Sequence, residues 1–430
     1  MRYSIERRLI ILFILTILIL VTAVFRRDTD ARTAVVTTTL SPSEQAILLL
    51  QSRLEQNPND AATYAQLGLA YLQRVRQTAD PQLYRLSEQA FNESLTRDAQ
   101  QVDALLGQGM LALARHNFPA ALQWGQQAKT LNPYRAQILG VLVDAYTELG
   151  QYEPALATTQ AMVDLRPDLA SYSRVSYQRE LHGDVTGAIE AMTSAVAMAP
   201  ADSEEWAWTQ VQLGNLYLNQ GQLDEAKAVY EECLYYQANY AYALAGLARI
   251  EAAQGAYQAA IERLQPLVER LPLPEFAILL GDLYTTTQQP EAAQQQYDLV
   301  RLIQQLNARA GMSVDLELAL FEADYGQADV ALAKAREAYE RRPSVVAADV
   351  LGWALYQHGD YEEAWIYAQK ALRLGTQDAL WHYHAAKIAY ALGDTNEART
   401  YLVKALAINP AFSIRYTPDA QTMLTNYSAP

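Results

Sequence analysis

One class of position recurs along almost the whole chain. A small residue stands at Ser87, Ala121, Ala155, Ala188, Ala226, Ala260, Ala293, Ala331, Ala364 and Ala398, at intervals of 34, 34, 33, 38, 34, 33, 38, 33 and 34 residues. A period of that length holds two ordinary helices and their turns, and units so small can bury their apolar faces only by stacking on one another. Three further markers keep the same register. Five residues before the small residue stand Gly150, Gly183, Gly221, Gly255, Gly326, Gly359 and Gly393, where glycine closes a first helix by taking the left-handed conformation. Seven residues after it stand Ala128, Ala195, Cys233, Ala338, Ala371 and Ala405, two turns along the same helix face. Twelve residues after it stand Pro133, Pro167, Pro200, Pro272, Pro343 and Pro410, which stop the second helix.

Close helix packing explains the small residues, because two antiparallel helices approach tightly only where one offers Gly or Ala to a large side chain of the other. Leu67-Gly68 with Tyr71, Leu213-Gly214 with Tyr217, and Leu280-Gly281 with Tyr284 each place Tyr three residues after a Leu-Gly pair. On these residues the chain resembles the tetratricopeptide repeat family over residues 58–410, with the fullest unit holding Leu213, Gly214, Tyr217, Gly221, Ala226 and Tyr230. Departures occur at Val143 and Gln288, which replace expected glycines, near residues 76–81, and in the two intervals of 38. The resemblance implies an all-α fold, a right-handed superhelical α-solenoid of about ten helix–turn–helix hairpins, preceded by a single N-terminal transmembrane helix read from the sequence itself.

That helix is expected at residues 9–25, apolar apart from Thr16 and Thr22 and flanked by Arg2, Arg7 and Arg8 before and Arg26, Arg27 and Arg32 after. Val21-Thr22-Ala23 followed by Arg26-Arg27 suits export processing poorly, so an uncleaved anchor is expected over a cleaved signal that would leave an exported soluble protein. The expected organisation is a basic tail at 1–8, the anchor at 9–25, a linker at 26–44, the repeats at 45–412, and a capping helix and tail at 413–430. Arginine counts tie across the anchor, and the free amino group tips the repeats to the extracytoplasmic side. Residues 1–32 carry a net +3, which leaves −18 of the formal −15 to the remainder. A body that acidic repels phosphate backbones and argues against nucleic acid as a partner.

No catalytic constellation emerges. His382 and His384 are two residues apart and point to different sides of a helix, so they do not chelate one ion. His116, His182 and His358 fall at hairpin turns or helix ends, where imidazole suits the dipole. Cys233 is the only cysteine and occupies a packing position filled by Ala in other units. No phosphate-binding loop, zinc-protease or nucleophile-elbow motif occurs in context. The chain is therefore expected to be no enzyme and to need no cofactor or metal.

The resemblance implies recognition instead, with first helices lining a concave groove. Helical spacing places Trp208, Val211, Asn215 and Leu218, then Tyr242 and Arg249, then Trp353 and Tyr356, then Tyr383, Lys387 and Tyr390 on that inward row. The candidate groove set is Trp208, Asn215, Tyr242, Arg249, Trp353, Tyr356, Tyr383, Lys387 and Tyr390, whose rings are expected to touch solvent. Ala62, Ala65, Leu69, Leu106, Met110 and Gly140 stand where family members that hold chaperone tails carry a Lys/Arg/Asn clamp, so that clamp is missing. A membrane-anchored scaffold that binds a protein or peptide segment is expected; a permanent assembly subunit, self-association included, is the alternative.

Overall fold

The small-residue ladder lies where paired helices cross. In the computed structural model, which describes residues 40–78, 80–312 and 315–426, Ser87, Ala121, Ala155, Ala188, Ala226, Ala260, Ala331, Ala364 and Ala398 are fully buried and Ala293 is 3% exposed. The described residues form helices and no strand. They divide into two units after Ala46. In the first, Ser41 and Glu44 close a reciprocal cap on α1 (Pro42–Gln56), with the Ser41 N–H donating to Glu44 Oε2 at 2.8 Å. Pro42–Gln56 therefore begins inside the stretch expected to be linker. The expected anchor at residues 9–25 lies outside the described residues, among which no helix is long and apolar enough to cross a membrane.

The second unit, Ile47–Pro430, is a run of ten hairpins. They are α2 (Ala61–Thr78) with α3 (Gln82–Arg97), α4 (Val102–Ala114) with α5 (Phe118–Leu131), α6 (Ala136–Glu148) with α7 (Tyr152–Leu165), α8 (Leu169–Leu181) with α9 (Val185–Val196), and α10 (Glu204–Asn219) with α11 (Leu223–Tyr236). They continue as α12 (Ala241–Ala253) with α13 (Tyr257–Arg270), α14 (Pro274–Thr286) with α15 (Pro290–Arg309), α16 (Asp315–Tyr325) with α17 (Ala328–Arg341), α18 (Val345–His358) with α19 (Tyr361–Ala371), and α20 (Ala379–Ala391) with α21 (Thr395–Ile408). A single helix, α22 (Thr417–Asn426), follows. The second interval of 38 lengthens α15 to 20 residues.

Large aromatics lock neighbouring units together. Phe91 on α3 fills the space that a Cβ at Gly68 or Gly107 would take, and Tyr230 on α11 does the same at Gly214 and Gly246. Each ring is thus clasped between the first helices of consecutive units, and both are fully buried. Where glycine is missing from a hairpin turn, His116 (φ 56°) and Gln288 (φ 60°) take the left-handed conformation themselves. Gly326, expected to do so, does not have positive φ.

The winding brings distant turns into contact. Hairpin turns of earlier units touch the connections between later ones at sequence separations of 191–195 residues, between five and six repeats along. Tyr152 Oη accepts the Val345 N–H at 2.8 Å, Thr376 Oγ1 donates to the Leu181 carbonyl at 2.5 Å, and Asn409 Nδ2 donates to the Leu218 carbonyl at 3.0 Å. Gly150 and Gly183 sit at these contacts, where an added Cβ would run into the carbonyl oxygens of Pro343 and Gly375. Arg342, 8% exposed, reaches Glu148 at 3.6 Å across the same seam and Glu317 of its own hairpin at 3.4 Å. Burial nevertheless holds the Glu148 carboxyl above its ordinary pKa, with Arg342 only partly offsetting it.

Candidate peptide-binding groove

First helices α8, α10 and α12 line a cavity of about 830 Å³ together with Arg76 of α2 and Asp144 of α6. Of the residues expected in a groove, Trp208, Asn215 and Arg249 lie in this wall, and Trp208 leaves 44% of its surface accessible. Polar pairs fix the surroundings of that ring. Arg249 donates to Asn215 Oδ1 and Asn219 Oδ1, each at 3.3 Å, and the Tyr230 hydroxyl donates to Asn215 Oδ1 at 2.8 Å. Arg174 grips Asp144 with two nitrogens, at 2.8 and 2.6 Å, the bidentate geometry that orders a guanidinium.

Burial raises the carboxyls of Glu180 and Glu204 in this wall. Burial pushes Glu180 up to about 7, with Asp378 of the next superhelical turn adding repulsion. Glu204 is also raised by burial, against the hydrogen bond from the Tyr240 hydroxyl at 3.1 Å. Tyr177 retains 37% accessibility yet is surrounded by protein, and desolvation drives its hydroxyl pKa well above the ordinary value. Glu180 and Glu204 interleave along this wall with Arg76, Arg174 and Arg249.

Val211 and Leu218 are packing residues, 3% and 4% exposed, so that part of the expected inward row is corrected: they join the core cluster shared with α11 and α12. Tyr242 is half-buried against Phe276, with ring centroids 5.7 Å apart. The remaining candidates lie on α18 and α20, and all but Tyr390 are largely covered. Trp353 and Tyr383 are each 2% exposed, contrary to the expectation of solvent contact. What covers them is residues 412–426, the stretch expected to be only a polar end cap.

This stretch crosses the first helices α14, α16, α18 and α20. Tyr416 donates its hydroxyl to Asp324 Oδ1 at 2.6 Å, beside the Trp353 Nε1 that donates to the same oxygen at 2.7 Å. Its ring stacks on Tyr383 at 5.1 Å and meets Trp353 edge-on at 5.6 Å. Asp419 Oδ2 accepts from the Tyr383 hydroxyl at 2.7 Å and Lys387 Nζ at 2.9 Å. Burial alone would raise the Asp419 carboxyl, but these two donors outweigh it and hold the pKa below its usual value. Arg415 lies over the Tyr325 ring at 4.6 Å and donates to the Asp324 carbonyl, and Ile414 packs on the cluster of α12 to α16. Beneath Arg415, Asp282 accepts from Tyr297 and Tyr325, yet burial pushes it up to about 6. Tyr356 stacks on Trp353 at 4.9 Å, and Tyr390 is 52% exposed at the far end of α20.

The histidines take separate places. His384 Nδ1 lies 3.0 and 3.1 Å from the two oxygens of Asp349, and its ring stacks on Trp353 at 4.1 Å. His382 Nδ1 faces its own helix's Asp378 carbonyl at 2.7 Å, and burial lowers its pKa. No group of three or more potential metal ligands occurs among the described residues. Cys233 is fully buried, with Sγ 3.8 Å from the Ala207 carbonyl, and burial raises its pKa to about 12. Asp324, Arg415, Tyr416 and Asp419 were not recognised in the sequence as groove residues, since their partners are 29 to 92 residues away.

Tetratricopeptide repeat family models match residues 82–136, 209–240, 316–379 and 350–413. No curated protein matches the chain. Among solved structures, the human IFIT1 dimer with m7Gppp-AAAA is similar at 16% identity, covering 76% of this chain and 76% of that one with a TM-score of 0.50. A thermophilic tetratricopeptide repeat protein of Thermus thermophilus aligns at 22% identity over 40% of this chain and 93% of its own, with a TM-score of 0.36. The APC/C hetero-tetramer Cut9–Hcn1 aligns at 14% identity over 90% and 96%, with a TM-score of 0.38. The family models support the tetratricopeptide repeat family, and the likeness to the IFIT1 structure supports an all-helical solenoid. Proteins of that family mediate protein–protein interaction or complex assembly.

Proposed function

We propose that this chain is a membrane-anchored scaffold, without catalytic activity, that takes a segment of a partner protein into the cavity lined by α8, α10 and α12. The observation that supports the reading is the accessible Trp208 ring held among ordered charges, Arg249 on Asn215 and Arg174 on Asp144. An accessible aromatic flanked by arginine is the composition of a binding hot spot. The carboxyls of Glu180 and Glu204, which burial raises, favour a partner segment carrying Lys or Arg at matching positions, whose charge would offset that burial. Residues 9–25 serve as the anchor, with the repeats on the extracytoplasmic side.

Capture of partners by the full chain, compared with the same chain carrying Trp208→Ala and Arg249→Ala, tests the binding reading. The substitutions are expected to weaken partner retention, with about 1–4 kcal/mol of binding lost at a central anchor. Unchanged retention by a folded variant would falsify the assignment of this cavity. Carbonate extraction tests the anchor: the full chain is expected to stay with membranes, and deletion of residues 1–27 to release it.

A further inference from the structure

We propose that residues 412–426 act as a displaceable intramolecular ligand of the groove on α14, α16, α18 and α20, and that this groove accepts a partner segment of the same chemistry, an Arg-aromatic pair followed three residues later by a carboxylate. The inference rests on the reading of the interior as a protein-binding groove and names the kind of segment it takes. Three features of the contact carry it.

The groove recognises side chains individually. Tyr416 is read by Asp324 through a hydrogen bond and by Tyr383 through stacking, and Asp419 is read by Lys387 and the Tyr383 hydroxyl. Hydrogen bonds that each end on a single side chain, with one cation opposite one carboxylate, are how a groove selects a peptide sequence. A solvating cap needs only a polar outer face.

The segment also lies on the groove and not within a hairpin, with Ala420 in the core cluster of α16 to α21 and Phe412, Tyr416, Met423 and Leu424 packed against it. It reaches the groove through an irregular stretch after Pro410, and α22 has ten residues, of which Thr417 and Ala420 are buried. A helix that short has little stability of its own. Its retention therefore depends on the same contacts that a competing segment would make.

Finally, the charges complement each other. The segment brings Arg415 to a site holding Asp282 and Asp324, and Asp419 to Lys387. Tethering gives the segment a high local concentration, so an outside segment competes only when it binds more tightly or when the tether's contacts are weakened.

The test uses a fluorescent peptide of residues 410–426 and the full chain. Tyr416→Ala with Asp419→Ala in the chain removes the segment's two individually recognised side chains and leaves the groove's own residues unchanged. The peptide is expected to bind this variant at least about tenfold more tightly than the wild type, as removal of an occupying state predicts. Adding Lys387→Ala should remove that gain. Equal affinity for wild type and a folded variant overturns the proposal. A second measurement needs no variant: excess unlabelled peptide added to the ¹⁵N-labelled wild-type chain should speed amide exchange within its own residues 412–426 while α18 and α20 keep their protection. Unchanged exchange in that segment at saturating peptide overturns the proposal, as does a wild-type dimer in which the segment of one copy occupies the groove of another. Because the probe is the chain's own sequence, failure here leaves the Trp208 cavity standing, and loss of that cavity's partner leaves this result standing.

Discussion

The Tyr152 hydroxyl accepts the backbone N–H of Val345 across 193 residues of sequence, at 2.8 Å and out of contact with water. It joins one superhelical turn to the next, so the array is held by more than nearest-neighbour stacking, the arrangement that otherwise governs solenoids. Tyr152→Phe leaves that N–H buried without an acceptor. Chemical denaturation should show a loss of about 1–3 kcal/mol, and an unchanged midpoint would mean that the turns are not energetically coupled there.

The glycines of the hairpin turns separate strain from contact. Gly183 (φ 79°) and Gly393 (φ 84°) share a conformation, but only Gly183 presses on a neighbouring backbone, that of Gly375. Gly393→Ala should cost about 1–2 kcal/mol, the left-handed penalty alone. Gly183→Ala should cost distinctly more in the same thermal unfolding measurement. Equal losses would show that the seam between turns yields without resistance.

Glu180 gives stability a pH dependence of predictable sign. Its folded pKa, about 7, lies above the ordinary 4.5. The folded state therefore binds more protons than the unfolded state between these values, so its contribution falls as pH rises from about 4.5 to 7. Glu180→Gln should flatten the stability profile in that window and raise stability above it relative to wild type. A profile indistinguishable from wild type would place Glu180 in water.

Two tyrosines on α20 should behave oppositely. Tyr383, 2% exposed, is clamped by Asp419, Tyr416 and Trp353, so Tyr383→Ala should cost about 3–5 kcal/mol of stability, like other buried aromatics. Tyr390, 52% exposed, should change stability by about 0.5 kcal/mol or less. Similar melting temperatures for the two variants would contradict the occupied groove.

Cys233 should be inert in the native protein, because its thiol is buried and raised to about 12. Thiol-reagent labelling at pH 8 is expected to be slow until denaturant unfolds the chain. Rapid native labelling would require α11 to open locally.

The hairpins could be read from the sequence because their determinants are local. Ala at a crossing, Gly at a turn and Pro after a helix act within one 34-residue unit, and Ala364, Gly359 and Pro343 sit in the structure where their spacing put them. The accessible wall at Trp208, Asn215 and Arg249 was legible for the same reason, since one helix periodicity places the first two and the next unit repeats the pattern. Trp353, Tyr356, Tyr383 and Lys387 were correctly placed on first helices, but their surroundings were not a local property. Whether an inward ring meets water or Tyr416 depends on how far the array winds before its last residues arrive, which is the sum of small rotations contributed by every interface between units. The same sum decides that Gly150 meets Pro343 and that Asn409 meets Leu218. The repeat unit and its packing ladder followed from sequence alone, because short-range sterics dictate them; the seam between turns and the filled groove were decided by tertiary structure, because they depend on accumulated geometry that no single unit encodes.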